Sequence, residues 1–160
     1  MVVPSPPSVT VASADGLLRV EFHWNGDRYG HRFVLPDGQT VASVEGDAES
    51  AWPPSPPLQQ LSLEEINGAP VVLGVGAAGT SHWSISVEQR EQGLRFDFAC
   101  RSKSPVGWIG CSYRISDRLE FVAEPESAVA IGPDETLRIS PRRDLGDGTG
   151  RWAFLALPAP

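Results

Sequence analysis

Apolar and polar side chains alternate one by one along much of this chain, the period of two that sends successive residues to opposite faces of a strand. The pattern appears in "LLRVEFHW" and returns in "RYGHRFVL", with Asn25 and Gly26 between them. Asn-Gly joining two alternating runs predicts a hairpin, because both residues tolerate the positive φ of a type I′ turn. Setting Trp24 opposite Asp27 pairs Phe22 with Tyr29, Val20 with His31 and Leu18 with Phe33, which leaves one face apolar. A turn at "PDGQ" then leads into "TVASVEG" as a third strand. From Val71 onward, strands are predicted at "VVLGV", "SHWSISVE", "LRFDFACR", "WIGCSYRI", "RLEFVA", "TLRIS" and "RWAFLAL". Short strands joined by short loops indicate an all-β, mostly antiparallel sandwich or flattened barrel.

Two stretches interrupt this rhythm. "AWPPSPPLQQ" cannot be a central strand, since proline lacks an amide donor and pushes its predecessor toward extended conformations. Residues 51–58 therefore read as a rigid connector inside one domain spanning 1–160. Ser62 followed three positions later by Glu65 matches a capping box and predicts one short helical turn near residues 63–67.

"GVGAAG", Gly74 to Gly79, spells the G-x-G-x-x-G of dinucleotide-binding loops. In those folds the glycines open a helix whose first amides receive a pyrophosphate, and an acidic residue follows about 20 positions later. Asp97 falls near that distance, but the intervening "TSHWSISVE" alternates with period two and is rich in β-branched and serine residues. Parallel strands also need long crossovers that these short loops cannot supply. The glycines read instead as a bend where another backbone comes close, and no cofactor is expected.

With "EQREQG" as the turn after "SHWSISVE", Val87 faces Leu94, Ile85 faces Phe96 and Trp83 faces Phe98. Extending the sheet through "SKSPVG" brings Cys100 near Cys111, Phe98 near Tyr113 and Asp97 beside Arg114. The opposite face gathers His82, Ser84, Ser86, Arg95, Asp97, Arg101, Ser112 and Arg114. Its plainest reading is an Asp97–Arg114 ion pair on a solvated surface. A second reading is a binding site of Gly76, Gly79, His82, Ser84, Asp97, Arg101 and Arg114, because guanidinium forks suit carboxylates, phosphates and sugars. The alternative is a hydrolase-type enzyme with His82 as acid or base beside Ser84 and Asp97, which requires hydrogen-bond contact among the three.

Other polar residues read as structural. His31 falls on the apolar face and is expected to be buried with one hydrogen bond, while His23, Arg28 and Arg32 share an outward face. Three histidines without an acidic cluster suggest no metal site. The five tryptophans serve either core packing or a sugar platform, and Trp83 is assigned inward. Cys100 and Cys111 are too few for a disulfide scaffold and read as buried thiols, although a cross-strand disulfide is geometrically conceivable.

The formal charge of −7 disfavours nucleic acid and anionic lipid as partners. "MVVPSPPSVTVASADG" has neither the charged start nor the long apolar run of a secretory leader, so a soluble cytoplasmic protein is expected, with no membrane partner.

The strings "WPPSPPLQ", "GVGAAGTSHWSISVE" and "FDFACR" followed by "SYRI" resemble blocks of a family of small uncharacterised proteins from planctomycete bacteria. The resemblance covers roughly residues 15 to 115 and implies a bacterial origin without an activity or a site. The residues thus favour a non-enzymatic binding or interaction module for a small acidic or sugar-like ligand, or for a protein partner.

Overall fold

The computed structural model describes residues 5–103, 107–143 and 148–160. Its strands are β1 (Val9–Ala12), β2 (Arg19–Trp24), β3 (Tyr29–Val34), β4 (Thr40–Ala42), β5 (Gln60–Ile66), β6 (Ala69–Ala78) and β7 (Ser81–Arg90). They continue as β8 (Gly93–Ser102), β9 (Cys111–Arg114), β10 (Leu119–Ala123), β11 (Ser127–Ile131), β12 (Thr136–Pro141) and β13 (Thr149–Pro158). Among the described residues the one helical piece is a 3-10 turn at Pro133–Glu135.

One layer is a six-stranded antiparallel sheet in the order β10-β13-β8-β7-β6-β5. The facing layer joins a four-stranded sheet, β1-β2-β3-β4, to a three-stranded one, β11-β12-β9. A bridge between Ser43 and Tyr113 links the two, helped by the Val44 N–H donating 2.8 Å to the Ser112 carbonyl. Aromatic rings from both layers meet between them, Phe33 with Phe96 at 5.4 Å and Tyr113 with Phe154 at 6.2 Å. The fold is a β-sandwich, and no sheet closes into a barrel.

Both expected hairpin registers are displaced by two residues. Trp24 pairs with Tyr29 and Phe22 with His31, because residues 25–28 form a longer loop than a two-residue turn. Likewise Val87 pairs with Phe96, Ile85 with Phe98 and Trp83 with Cys100, since the turn shrinks to Glu91 and Gln92. A slip of two keeps every side chain on its face, so Val20, Phe22, Trp83, Ile85 and Phe98 are buried as expected.

Three expectations are corrected. Residues 63–67 are not helical: Gln60–Ile66 is a strand, paired with β6 from Gln60↔Val75 to Ile66↔Ala69. Asn67 and Gly68, at φ 53° and 79°, make the tight turn, so this Asn-Gly outweighs the Ser62 and Glu65 capping pattern. The second neighbour of β8 is β13, not β9, with eight pairs from Thr149↔Arg101 to Ala156↔Leu94. The four-residue β9 pairs with β12 in the other layer, because the longer β13 buries Trp152, Phe154 and Ala156 against the core. The turn expected at "SKSPVG" includes residues 104–106, which lie outside the described residues. Cys100 and Cys111 are both free and buried. The third correction is Arg28, which is not on an outward face but 3% exposed, its Nε donating to Asp27 at 3.1 Å.

The proline-rich segment packs across one end of the six-stranded sheet. Ser55 Oγ accepts the Ser112 N–H at 3.1 Å, the Tyr29 N–H reaches the Leu58 carbonyl at 2.7 Å, and Trp52 meets Trp83 edge-on at 6.5 Å. This packing accounts for the glycines. Gly74 and Gly76 lie inside β6: a Cβ at Gly76 would overlap the Pro57 carbonyl, and one at Gly74 would collide with Leu61 and Ile85. Gly79, at φ 55°, turns the chain into β7 beside Ala51. Strand β7 comes directly after, where a dinucleotide loop needs a helix.

His31 sits at the centre of the core, its Nε2 2.7 Å from the Tyr113 hydroxyl and its ring 5.8 Å from Phe96. Burial, with a smaller contribution from His23, pushes its pKa down to about 3. On the outer side of β2 and β3, His23 and Glu45 both cover Gly30, within 3.4 Å of where its Cβ would stand. Glu45 Oε2 accepts from Ser43 at 2.6 Å, while Glu45 Oε1, His23 Nδ1 and Arg28 Nη1 are buried without partners. Burial pushes the Glu45 carboxyl up to about 7, against the Ser43 hydrogen bond and the Arg28 charge.

Gly76→Ala is expected to destabilise the fold by about 1–3 kcal/mol or more through overpacking, read from urea midpoints. The His31 and Glu45 titrations oppose each other. His31 has a folded pKa below its unfolded 6.5, so it withdraws stability as pH falls from 6.5 toward 3. Glu45 has a folded pKa above its unfolded 4.5, so it withdraws stability as pH rises from 4.5 to 7. Taking these two groups alone, the urea midpoint is expected to be nearly flat between pH 4.5 and 6.5 and to fall below that window. Glu45→Gln should gain up to about 3 kcal/mol at pH 8 and lose stability with acid already from pH 6.5.

Candidate functional site

Because β7, β8 and β13 turn their aromatic side chains inward, their intervening residues form the outer face of the six-stranded sheet. Ala99 lies at its centre, between Ser84 on β7 and Arg151 on β13, with Asp97 and Arg101 two residues either side along β8. His82 is directly opposite Arg101, and Val75 on β6 is opposite Ser84. Small side chains at Ala99 and Ser84 leave a depression, which two adjoining hollows of 880 and 590 Å³ occupy. Both hollows include Gln60, Val75, Ser84 and Ala99, so they form one groove. Gln59 stands on its rim, its side-chain carbonyl accepting the Ala77 N–H at 2.7 Å.

Five of the seven residues of the candidate binding site border this groove: Gly76, His82, Ser84, Asp97 and Arg101. Gly79 lies beyond it in the β6–β7 turn. Arg114 is in the other layer, opposite Thr136 and beside Asp134 and Glu135, so the expected Asp97–Arg114 pair does not form. Asp97 is instead engaged by Arg151, whose Nε donates to Oδ1 at 3.0 Å and whose Nη2 donates to Oδ2. Arg95 adds a contact to Asp97 at 3.4 Å and donates to Glu124 at 2.6 Å. Burial works to raise the Asp97 carboxyl, but the Arg151 hydrogen bonds and charge, with Arg95 behind them, outweigh it and hold the pKa below its ordinary value.

His82, Ser84 and Asp97 do not form a hydrolytic triad. Asp97 is opposite Ser86 and His82 opposite Arg101, a separation of four residues, roughly 13 Å along the strand. Asp97 therefore cannot orient the His82 ring, and Ser84 sits on a regular strand without a nucleophile elbow. Arg101 and His82 are exposed. No carboxylate of the described residues forms an ion pair with Arg101. No group of His, Cys, Asp and Glu among the described residues could hold a metal ion.

The sugar platform is not present in the groove. The rings that border it, Trp83 and Tyr29, are 3% and 4% exposed and offer no open face. Sequence reasoning missed Arg151, Leu73, Val75 and the two glutamines. The alternation of "RWAFLAL" carries a signal for Arg151, on the face opposite Trp152, but nothing local says that β13 lies beside β8.

Arg151→Ala is expected to cost less than about 1 kcal/mol, since the guanidinium is largely solvated. The Asp97 carboxyl should move up toward its ordinary pKa, followed by NMR titration. No protein-family model matches the chain, and no characterised protein or solved structure matches it, so the chemistry of the groove is read from its own residues.

Proposed function

We propose that the protein is a non-enzymatic binding module that holds a small acidic molecule in the groove over Ala99. The observation that carries this reading is the His82 and Arg101 pair, side by side on β7 and β8 at one end of the groove, with Arg101 facing no carboxylate of the described residues. An arginine in that state offers its fork of donors to an oxyanion, and Ser84 supplies a hydroxyl one step along the strand. Arg151, already shared with Asp97, keeps the far side from being purely anionic. Gly76 supports the site from beneath by letting the proline segment seat, which holds Gln59 and Gln60 at the rim.

Both cysteines are free and no described helix is long and apolar enough to cross a membrane. These features agree with a cytoplasmic setting, which we include in the proposal together with the bacterial origin suggested by the resemblance.

A thermal-shift panel of carboxylates, neutral sugars and nucleotides tests the reading. Carboxylates are expected to raise the melting temperature and Arg101→Ala to abolish the shift. Ala99→Trp, which fills the depression, should do the same while leaving the unliganded fold intact. Silence from every carboxylate, or a shift that survives both substitutions, would overturn it.

A further inference from the structure

Strand β6 presents a row of apolar side chains along the groove. Ala77, Val75 and Leu73 lie opposite His82, Ser84 and Ser86, each two residues from the next. Val75 is 49% and Leu73 37% exposed, in a sheet whose inner face is closed. The floor across from them is Ser84 and Ala99, too small to cover either. The row begins at the level of the His82 and Arg101 pair and ends at Leu73, roughly 13 Å away on strand spacing. One end of the groove therefore offers a guanidinium and an imidazole with no carboxylate of the described residues paired to them, and the β6 side of the remainder offers aliphatic surface. Away from that end the hollow also holds the neutral Ser62 and Ser86 and two charged groups, Asp97 and Arg151, which are paired with each other.

From this polarity we infer that the ligand is an amphipathic carboxylic acid: its carboxylate sits between Arg101 and His82, and its aliphatic body runs along Val75 and Leu73. This deepens the groove reading and rests on it. The guanidinium fork matches a planar carboxylate in two parallel hydrogen bonds. The aliphatic body covers side chains that are otherwise left in water, each buried methylene adding a several-fold gain in affinity. A hydrophilic acid such as a sugar acid satisfies only the first condition, because it would place hydroxyls against Val75 and Leu73. A neutral apolar molecule satisfies only the second.

The test is a titration of ¹⁵N-labelled full chain with octanoate, acetate, octan-1-ol and glucuronate, read from the amide shifts of Val75, Ser84, Ala99 and Arg101. Octanoate is expected to bind at least about tenfold more tightly than each of the others. Arg101→Ala should bring octanoate down to the level of octanol. Val75→Ser, at an exposed position, should bring it toward acetate. If glucuronate or acetate binds at these amides as tightly as octanoate, the aliphatic inference fails while the groove reading stands. If octanol equals octanoate, the carboxylate assignment fails. If none of the four shifts these amides, or octanoate shifts only amides elsewhere, the inference and the groove reading fail together.

Discussion

The constraint on which the rest of this structure depends is the two-sidedness of β7, β8 and β13. Their inward residues form one aromatic layer, with Phe96 stacked on Phe154 at 5.0 Å and Phe98 on Trp152 at 5.1 Å. Such pairs add about 0.5–1.5 kcal/mol each beyond the area they bury. Once those rings point inward, the pleat leaves no freedom for the residues between them. His82, Ser84, Asp97, Ala99, Arg101 and Arg151 must share the other face, and the groove is the reverse side of the core.

The glycines and prolines are a second expression of the same close packing. Gly76 and Pro57 are almost twenty positions apart, yet the missing side chain of one makes room for the carbonyl of the other. Leu58 can then be buried at 1% exposure and Gln59 can clamp Ala77. A spelling that elsewhere cradles a pyrophosphate here fits a strand to a proline segment. The difference lies in the element after the glycines, since the dinucleotide loop opens a helix whose first amides converge on the phosphate and here a strand follows.

Two ionisable groups of the other layer, His31 and Glu45, pull in different directions. His31 is kept neutral by its aromatic surroundings and satisfied by Tyr113. Glu45, 14 positions later, is held above the usual carboxylate range beside an orphaned Arg28 nitrogen. Both lie on the layer away from the groove. The charged groups near the groove behave otherwise: Asp97, Arg95, Arg151 and Glu124 neutralise one another across β8, β13 and the end of β10. Among the described residues, that mutual engagement leaves Arg101 open.

The sequence by itself determined the fold class, most of the strands, and the face on which each central side chain lies, because alternation is a local property that survives a register slip of two. It also placed His82, Ser84, Asp97 and Arg101 on one surface and His31 in the core. Only the tertiary structure decided which strands are neighbours: that β13 rather than β9 flanks β8, that Asp97 meets Arg151 rather than Arg114, and that a proline carbonyl sits over Gly76. Pairing between distant strands depends on the apolar area each alternative buries across the whole sandwich, a sum over both layers that no short window of residues contains. The strand at Gln60–Ile66 was hidden for a related reason, since a capping pattern and an Asn-Gly turn compete locally and the partner strand β6 settles the contest.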